Sequence, residues 1–178
     1  MPRLIPSLPR PGRGRSGRPG GRWSRTDILL GVAVLLVGVL SGAVWYDTDQ
    51  AERRARAGRE ALAAATVAAQ AIFSYDYRRF DANVANGRQF VTGRFADEYA
   101  QTTAGLKAPA EQEQAVVRAE VSAAGVVHAS IERVEILLYV NQYRRNINID
   151  GEKVDQNRVV LTLVPVDGEW KVIHATAI

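Results

Sequence analysis

Tyr75-Asp76-Tyr77 is the polar cluster of this chain whose residue types could do chemistry. A carboxylate between two phenols could act as a general base beside hydroxyl donors, an arrangement suited to moving a proton next to a carbonyl. A helix cap is the simpler interpretation, because one Asp76 oxygen can accept from the free backbone amides of a helix beginning at about Arg78. Adjacent residues also point to different sides, so both phenols cannot easily serve one pocket. We therefore expect a cap and no catalysis.

Other residue types that bind metals or act as nucleophiles are sparse. His128 and His174 are the only histidines and lie far apart in the strand region without clustered carboxylates, which makes a poor metal site. Cysteine is absent, which excludes a thiolate nucleophile, a disulfide and a zinc-thiolate site. No Walker loop, nucleophile elbow or zinc-protease helix occurs. We expect no cofactor and no metal, and for His174 a partly buried, hydrogen-bonded place on the last strand.

The run Ile28–Trp45 contains no charged residue. At about 1.5 Å per residue, a helix of this length nearly crosses a hydrocarbon core of about 30 Å. Trp23 precedes the run and Trp45 with Tyr46 closes it, and aromatic rings favour the headgroup level on both sides of a bilayer. The sequence predicts a transmembrane helix at 28–46.

Arginine counts beside this run predict its orientation. Seven arginines precede it and four follow within residues 47–60, so the amino terminus is expected in the cytoplasm and residues 47–178 outside it. Small residues at Ser41 and Ala43 leave a cleaved export signal as the alternative. Residues 1–27, rich in Pro, Gly and Arg, are predicted to be disordered. With seven arginines and one aspartate these residues carry a charge of +6. Because the net charge of the chain is +4, the rest of the chain carries −2. This charge distribution does not indicate a nucleic-acid partner.

The outer part reads as helices followed by strands. Helical spacing and composition predict three helices, at Asp49–Phe73, at Arg78–Asn86 with Gly87 ending it, and from Thr92 or Gly93 until Pro109 stops it. The small alanine-rich face of the first helix should allow close approach to another element. Phe95 and Tyr99 should form an inward aromatic seam on the third.

Beyond Pro109 the apolar period changes from 3.6 to 2. Four strands are predicted, at Val116–Val127, Ile131–Tyr143, Arg158–Val166 and Glu169–Ala177. Asp167-Gly168 suits a two-residue hairpin turn, and Asp150-Gly151 suits the preceding connection. Helices followed by antiparallel strands predict an α+β fold, with about three helices packed on one face of a curved four-stranded sheet.

Several segments occur in a recognisable order: the apolar run, the alanine-rich helix, Phe73-Ser74-Tyr75-Asp76-Tyr77, Thr92-Gly93-Arg94-Phe95 with Tyr99, and Asp167-Gly168-Glu169-Trp170-Lys171-Val172. Together, over roughly residues 28 to 178, they resemble the Mce-associated membrane proteins. The resemblance implies a small accessory subunit that stabilises an Mce-type lipid-import complex. It also implies an outer domain with a cone-shaped NTF2-like fold, similar to that of VirB8-type secretion proteins, and Mce proteins as partners.

Two further sets of residues are candidate contact sites. Gly38 and Gly42 form a GxxxG step that lets two transmembrane helices approach closely, although such steps also arise by chance. Tyr139, Tyr143 and Trp170 lie on neighbouring strands and suit a core, but in a curled sheet they could line an apolar cavity for a sterol or an acyl chain. Tyr75, Asp76, Tyr77, Tyr139 and Trp170 are accordingly the candidate pocket-lining residues.

These features favour a non-catalytic accessory subunit anchored in the cell membrane by one helix. Three alternatives stay open: a lipid or steroid binding module, a secretion-channel subunit of VirB8 type, and a cone-fold isomerase or dehydratase with Asp76 as its base.

Overall fold

The computed structural model describes the backbone of residues 25–178 and the side chains of residues 49–178. The predicted tail lies outside the described residues up to residue 24. The side chains of the predicted span 28–46 lie outside them as well, including those of the candidate pairing residues Gly38 and Gly42.

The chain divides into two units, Met1–Val44 and Trp45–Ile178. Within residues 49–178 no helix is long and apolar enough to cross a membrane. The second unit contains the sheet and the helices packed on it.

The second unit is an α+β domain in which helices precede the strands, as predicted. Its elements are α1 (Arg25–Phe73, entering from the first unit), β1 (Tyr75–Asp76), a 3-10 helix (Tyr77–Arg79), α2 (Phe80–Arg88), α3 (Gly93–Gln112), β2 (Val116–Ala129), β3 (Val134–Arg145), β4 (Lys153–Val166) and β5 (Glu169–Ala177). The described strands form one sheet in the order β1-β2-β3-β4-β5, with every neighbour antiparallel. The prediction of four strands was wrong because β1, at two residues, is too short to carry a periodic pattern.

The core lies between one face of the sheet and the small-residue face of α1. Alternate residues of β3 and β4 are buried, among them Ile136, Leu138 and Leu161, which are fully buried. They belong to one apolar cluster with Ala61 and Ala65 of α1, also fully buried. Methyl side chains let the helix pack closely on the sheet, which confirms the predicted close approach.

Two helix ends differ from the prediction. Gly87 does not end α2, which continues to Arg88. It is buried, and a Cβ there would overlap the Tyr99 hydroxyl, so this glycine serves close packing of α2 on α3 and not a left-handed cap. Pro109 does not stop α3, which runs through it to Gln112. Proline removes only one backbone donor, and the Pro109 carbonyl still accepts from the Glu113 N–H at 2.9 Å.

The backbone conformation confirms one predicted hairpin turn, whereas the connection between β3 and β4 is longer than predicted. Asp167 (φ 52°) and Gly168 (φ 83°) both have positive φ, as a two-residue hairpin turn of the predicted type requires. Asp150-Gly151 instead lies within the longer connection 146–152 between β3 and β4. β4 begins at Lys153, earlier than predicted, because its polar first half obscures the strand pattern; there Asn157 donates across the ladder to Gln142 at 2.9 Å.

A bulge in β5 overturns the expectation for His174. Thr162 pairs with His174 whereas Leu163 pairs with Val172, so Ile173 is an extra residue that shifts the alternation. Val172 stays in the core, and His174 turns to the exposed face, where its Nε2 lies 2.8 Å from the Thr176 hydroxyl. The predicted partial burial was therefore wrong.

Candidate functional site

An apolar cavity of about 450 Å³ lies between the helices and the inner face of the sheet. The end of α1, the aromatic residues of α3 and the edge of the sheet line it, with Phe73, Tyr75, Phe95, Tyr99, Gln142 and Ala175 among the lining residues. Volumes of about 300 to 1,000 Å³ are typical of small-molecule sites. The cavity is therefore large enough for an apolar ligand.

Tyr75 reaches the cavity because β1 pairs it with Val117 of β2. Its ring packs edge-to-face on Phe80, with centroids 5.6 Å apart. Burial raises the pKa of Tyr75, opposed by the nearby positive charge of Arg144. The phenol therefore stays protonated over the physiological range and presents a hydroxyl at the wall of the cavity.

Asp76 is hydrogen-bonded to Arg78, two residues further along the chain, and is not among the residues lining the cavity. Its Oδ1 accepts from the Arg78 backbone N–H at 2.9 Å, capping the 3-10 helix, and its Oδ2 accepts from Arg78 Nη2 at 2.7 Å. The hydrogen bond from the Arg78 side chain lowers the pKa of Asp76. A general base working near neutral pH needs a pKa shifted the other way, so this geometry favours the cap.

The remaining candidate pocket residues lie elsewhere. Tyr77 is stacked by the Arg78 guanidinium, 5.7 Å from the ring centroid. Tyr139 is 44% exposed on β3, opposite Ala123 of β2. Trp170 lines a groove beside α1 with Ile131 and Pro165. Of the five candidates, the structure brings only Tyr75 to the cavity.

Six lining residues from α3 escaped the sequence-based selection of pocket residues: Phe95, Glu98, Tyr99, Thr102, Thr103 and Leu106. The i, i+4 spacing of Phe95 and Tyr99 predicted an inward seam, which was the available signal. Burial raises the pKa of Tyr99, and Thr103 donates its hydroxyl to the Tyr99 carbonyl at 2.8 Å. These contacts place neutral phenol and hydroxyl groups in one wall of the cavity, beside the Glu98 carboxylate.

The described residues offer little for a metal. In residues 49–178 no three His, Asp or Glu side chains stand close enough together to hold an ion. The cavity wall provides apolar carbon with a few hydroxyl, amide and carboxylate groups, such as Tyr75, Gln142 and Glu98. Such a wall suits an apolar molecule with at most one polar end.

A second functional surface is the outer edge of β2 from Glu120 to Ala129, named here the open β2 edge. β1 pairs only with Val116 and Val117, and the Ser74 hydroxyl accepts from the Ala119 N–H at 2.9 Å. Among the described strands none pairs with this edge beyond that point. Residues 121–127 carry no charge and 122–128 are all exposed. Two bulges interrupt the edge and leave 123–126 as a regular run.

No profile of a known protein family matches the chain. Over 155 residues the chain is 32% identical to the outer membrane protein Rv1973 of Mycobacterium tuberculosis, covering 83% of this chain and 94% of that protein.

Two solved structures share the fold. The periplasmic domain of DotI superposes with a TM-score of 0.56 at 13% identity, covering 65% of this chain and 91% of that one. CagV, a VirB8 homologue of the type IV secretion system of Helicobacter pylori, superposes with a TM-score of 0.53 at 10% identity, covering 65% and 94%. This likeness confirms the predicted fold, the NTF2-like α+β architecture of VirB8-type domains.

Proposed function

The chain belongs to the family of the Mycobacterium tuberculosis outer membrane protein Rv1973, and from that premise we propose that it is a non-catalytic assembly subunit of a membrane complex. One transmembrane helix at 28–46 holds the protein in the cell membrane. The NTF2-like domain then stands outside the cytoplasm and binds partner proteins. The fold shared with the periplasmic domain of DotI supports this arrangement.

The complex that it stabilises is, in our proposal, an Mce-type lipid-import system. The ordered resemblance of residues 28 to 178 to the Mce-associated membrane proteins supports this assignment. A VirB8-type secretion machine is the alternative, and the shared fold supports it equally. The identity of the co-purifying proteins separates the two.

The open β2 edge is the observation that carries the assembly role. Unpaired strand edges present a row of backbone donors and acceptors, and natural proteins normally protect them with charge, proline, β-bulges or a covering element. This edge has neither charge nor proline over residues 121–127, and its two bulges still leave 123–126 as a regular run. An extended partner segment can add to it as a further strand, with main-chain hydrogen bonds supplying the affinity.

A lysine at Gly125 tests this surface. A Cβ at Gly125 would meet nothing within 4 Å, so Gly125→Lys adds a charge to the edge without a clash. Gly105 of α3 has the same open surroundings, which makes Gly105→Lys the matched control. The full chain is purified from membranes in gentle detergent and its partners are identified by mass spectrometry.

We expect Mce proteins to co-purify with the natural chain and with Gly105→Lys, and their recovery to fall with Gly125→Lys. Equal recovery with both variants would remove the edge from the proposal. Deleting the gene should also lower the level of the Mce proteins. Unchanged partner levels together with unchanged lipid uptake would contradict the assembly role itself.

The apolar cavity supports a second candidate function, a lipid or sterol binding module. Its volume of about 450 Å³ and its phenol and amide groups fit an acyl chain or a sterol with one polar end. Native mass spectrometry of the full chain should then detect a bound lipid that Ala175→Phe, which fills the cavity, displaces. Absence of bound lipid from the natural chain would remove this candidate.

A further inference from the structure

Two hairpin tips lie beside the first described turns of α1. The turn 130–133 joins β2 to β3, and Asp167-Gly168 joins β4 to β5. A groove of about 580 Å³ is lined by Ile131 from the first tip, Trp170 beside the second, and α1 residues from Asp49 to Glu60. We name this region the hairpin-tip end, meaning residues 130–133, 165–170 and 49–60.

The hairpin-tip end includes residues that follow the predicted span directly in the sequence. Asp49 follows Tyr46, the last residue of that span, by three positions. Three residues reach at most about 11 Å even when fully extended, whatever direction the chain takes. A groove lined by Asp49 and Trp170 together therefore lies close to the bilayer surface once the span is inserted, and in this respect the inference rests on the proposed function.

The side chains at this end suit a lipid surface. Ile131 is 47% exposed and Val127, on the strand leading to the tip, is 59% exposed. Trp170 is partly exposed, and tryptophan favours the level of lipid headgroups because its ring is apolar with one polar N–H.

The net charge of residues 49–60 contributes less to the expected lipid contact than the apolar side chains do. Residues 49–60 carry four arginines and three acids, a balance of only one positive charge. Arg53 is moreover paired with Asp49 at 3.0 Å. The apolar tip and the indole therefore carry the interaction, while the arginines can extend their charged ends to phosphate.

We propose that the hairpin-tip end rests on the outer phospholipid headgroup layer, with Trp170 and Ile131 at headgroup depth. The domain is thereby held with its opposite end, the connection 146–152, away from the membrane. A partner protein in the groove is the competing occupant, and it would keep Trp170 away from lipid.

Tryptophan fluorescence tests the contact. Trp23→Phe with Trp45→Phe leaves Trp170 as the single tryptophan of the full chain. This protein is reconstituted in vesicles of phosphatidylcholine and phosphatidylglycerol whose acyl chains are brominated near the ester groups. Bromine quenches indole only at short range, so we expect Trp170 emission to be roughly halved relative to unbrominated vesicles.

The control carries its single tryptophan at the other end. Ile147 is 63% exposed in the connection that follows β3. The full length of β3, at about 3.3 Å per residue, separates Ile147 from the hairpin tips. With Trp170→Phe added, Ile147→Trp should show no quenching. Carbonate extraction of the same vesicles reports whether the span is inserted.

If the chain stays in the vesicles after carbonate extraction and Trp170 is unquenched, the lipid contact is overturned and the anchored topology stands. If carbonate extracts the chain from the vesicles, both the lipid contact and the anchored topology are overturned. Equal quenching at positions 147 and 170 would also contradict the proposal, because the hairpin-tip end would then have no preference for lipid.

Discussion

At Gly87 a single missing side chain lets two helices meet. The Tyr99 ring of α3, 8% exposed, occupies the space that a Cβ on α2 would take. The Ala71 carbonyl of α1 lies 3.0 Å from the same point. Glycine is otherwise unfavourable inside a helix, so its presence here reflects packing.

We predict that Gly87→Ala destabilises the domain by about 1 to 3 kcal/mol, the usual cost of overpacking a fitted core. Gly105→Ala is the matched control, because a Cβ there meets nothing within 4 Å. It should stabilise the domain by about 0.5 to 1 kcal/mol through helix propensity alone. Urea unfolding followed by circular dichroism measures both, and a stabilising Gly87→Ala would contradict the packing described here.

Residue-scale prediction from sequence succeeded where the cause is local. The Asp76 cap needs only the backbone two residues on, and a short polar residue before a helix indicates it. Gly87 misled because sequence shows a glycine near a helix end and does not show the Tyr99 ring above it. Cavity residues such as Gln142 could not be selected, since their proximity to α3 exists only after the sheet has folded.

On the scale of elements, α1 packs on the sheet through a face that lacks large side chains. Its buried face is made of alanines, and Ala61, Ala65, Ala68 and Ala69 have no exposed surface. Small residues allow the helix axis to approach the sheet closely, while the opposite face stays exposed at positions such as Ala63. A larger side chain on the buried face has no space to enter.

Ala65→Leu should therefore destabilise the domain by about 1 to 3 kcal/mol through overpacking. Ala63→Leu, on the exposed face of the same helix, should change stability by less than about 0.5 kcal/mol. Thermal unfolding of the full chain in detergent compares them. Equal melting temperatures for the two variants would show that the alanine face is not closely packed.

Elements were predicted best where apolar periodicity is strong. The inner residues of β3 alternate regularly, whereas the first half of β4 is polar and its strand character depends on cross-strand partners such as Gln142. β1 exists because Tyr75 and Asp76 find β2 in space, and two residues have no pattern of their own. The β5 bulge likewise depends on its pairing with β4, so the orientation of His174 could not be read from alternation.

The whole molecule combines an α+β domain that the structure describes with a membrane anchor that the sequence predicts. The fold and the family are shown by the comparisons, and the α+β order was predictable because helices and strands follow each other in separate blocks. The two interaction surfaces, the open β2 edge and the hairpin-tip end, arise from tertiary pairing and were not predictable. Both have a role only if the domain stands outside the cytoplasm.

A topology reporter fused after Ile178 tests that claim most directly. Alkaline phosphatase is active only outside the cytoplasm and green fluorescent protein exported in unfolded form fluoresces only inside it, so the two fusions give opposite readings. We predict an active phosphatase fusion and a dark fluorescent-protein fusion. An inactive phosphatase fusion together with a bright green fluorescent protein fusion would place the domain in the cytoplasm. That result would contradict the predicted topology and the function proposed from it.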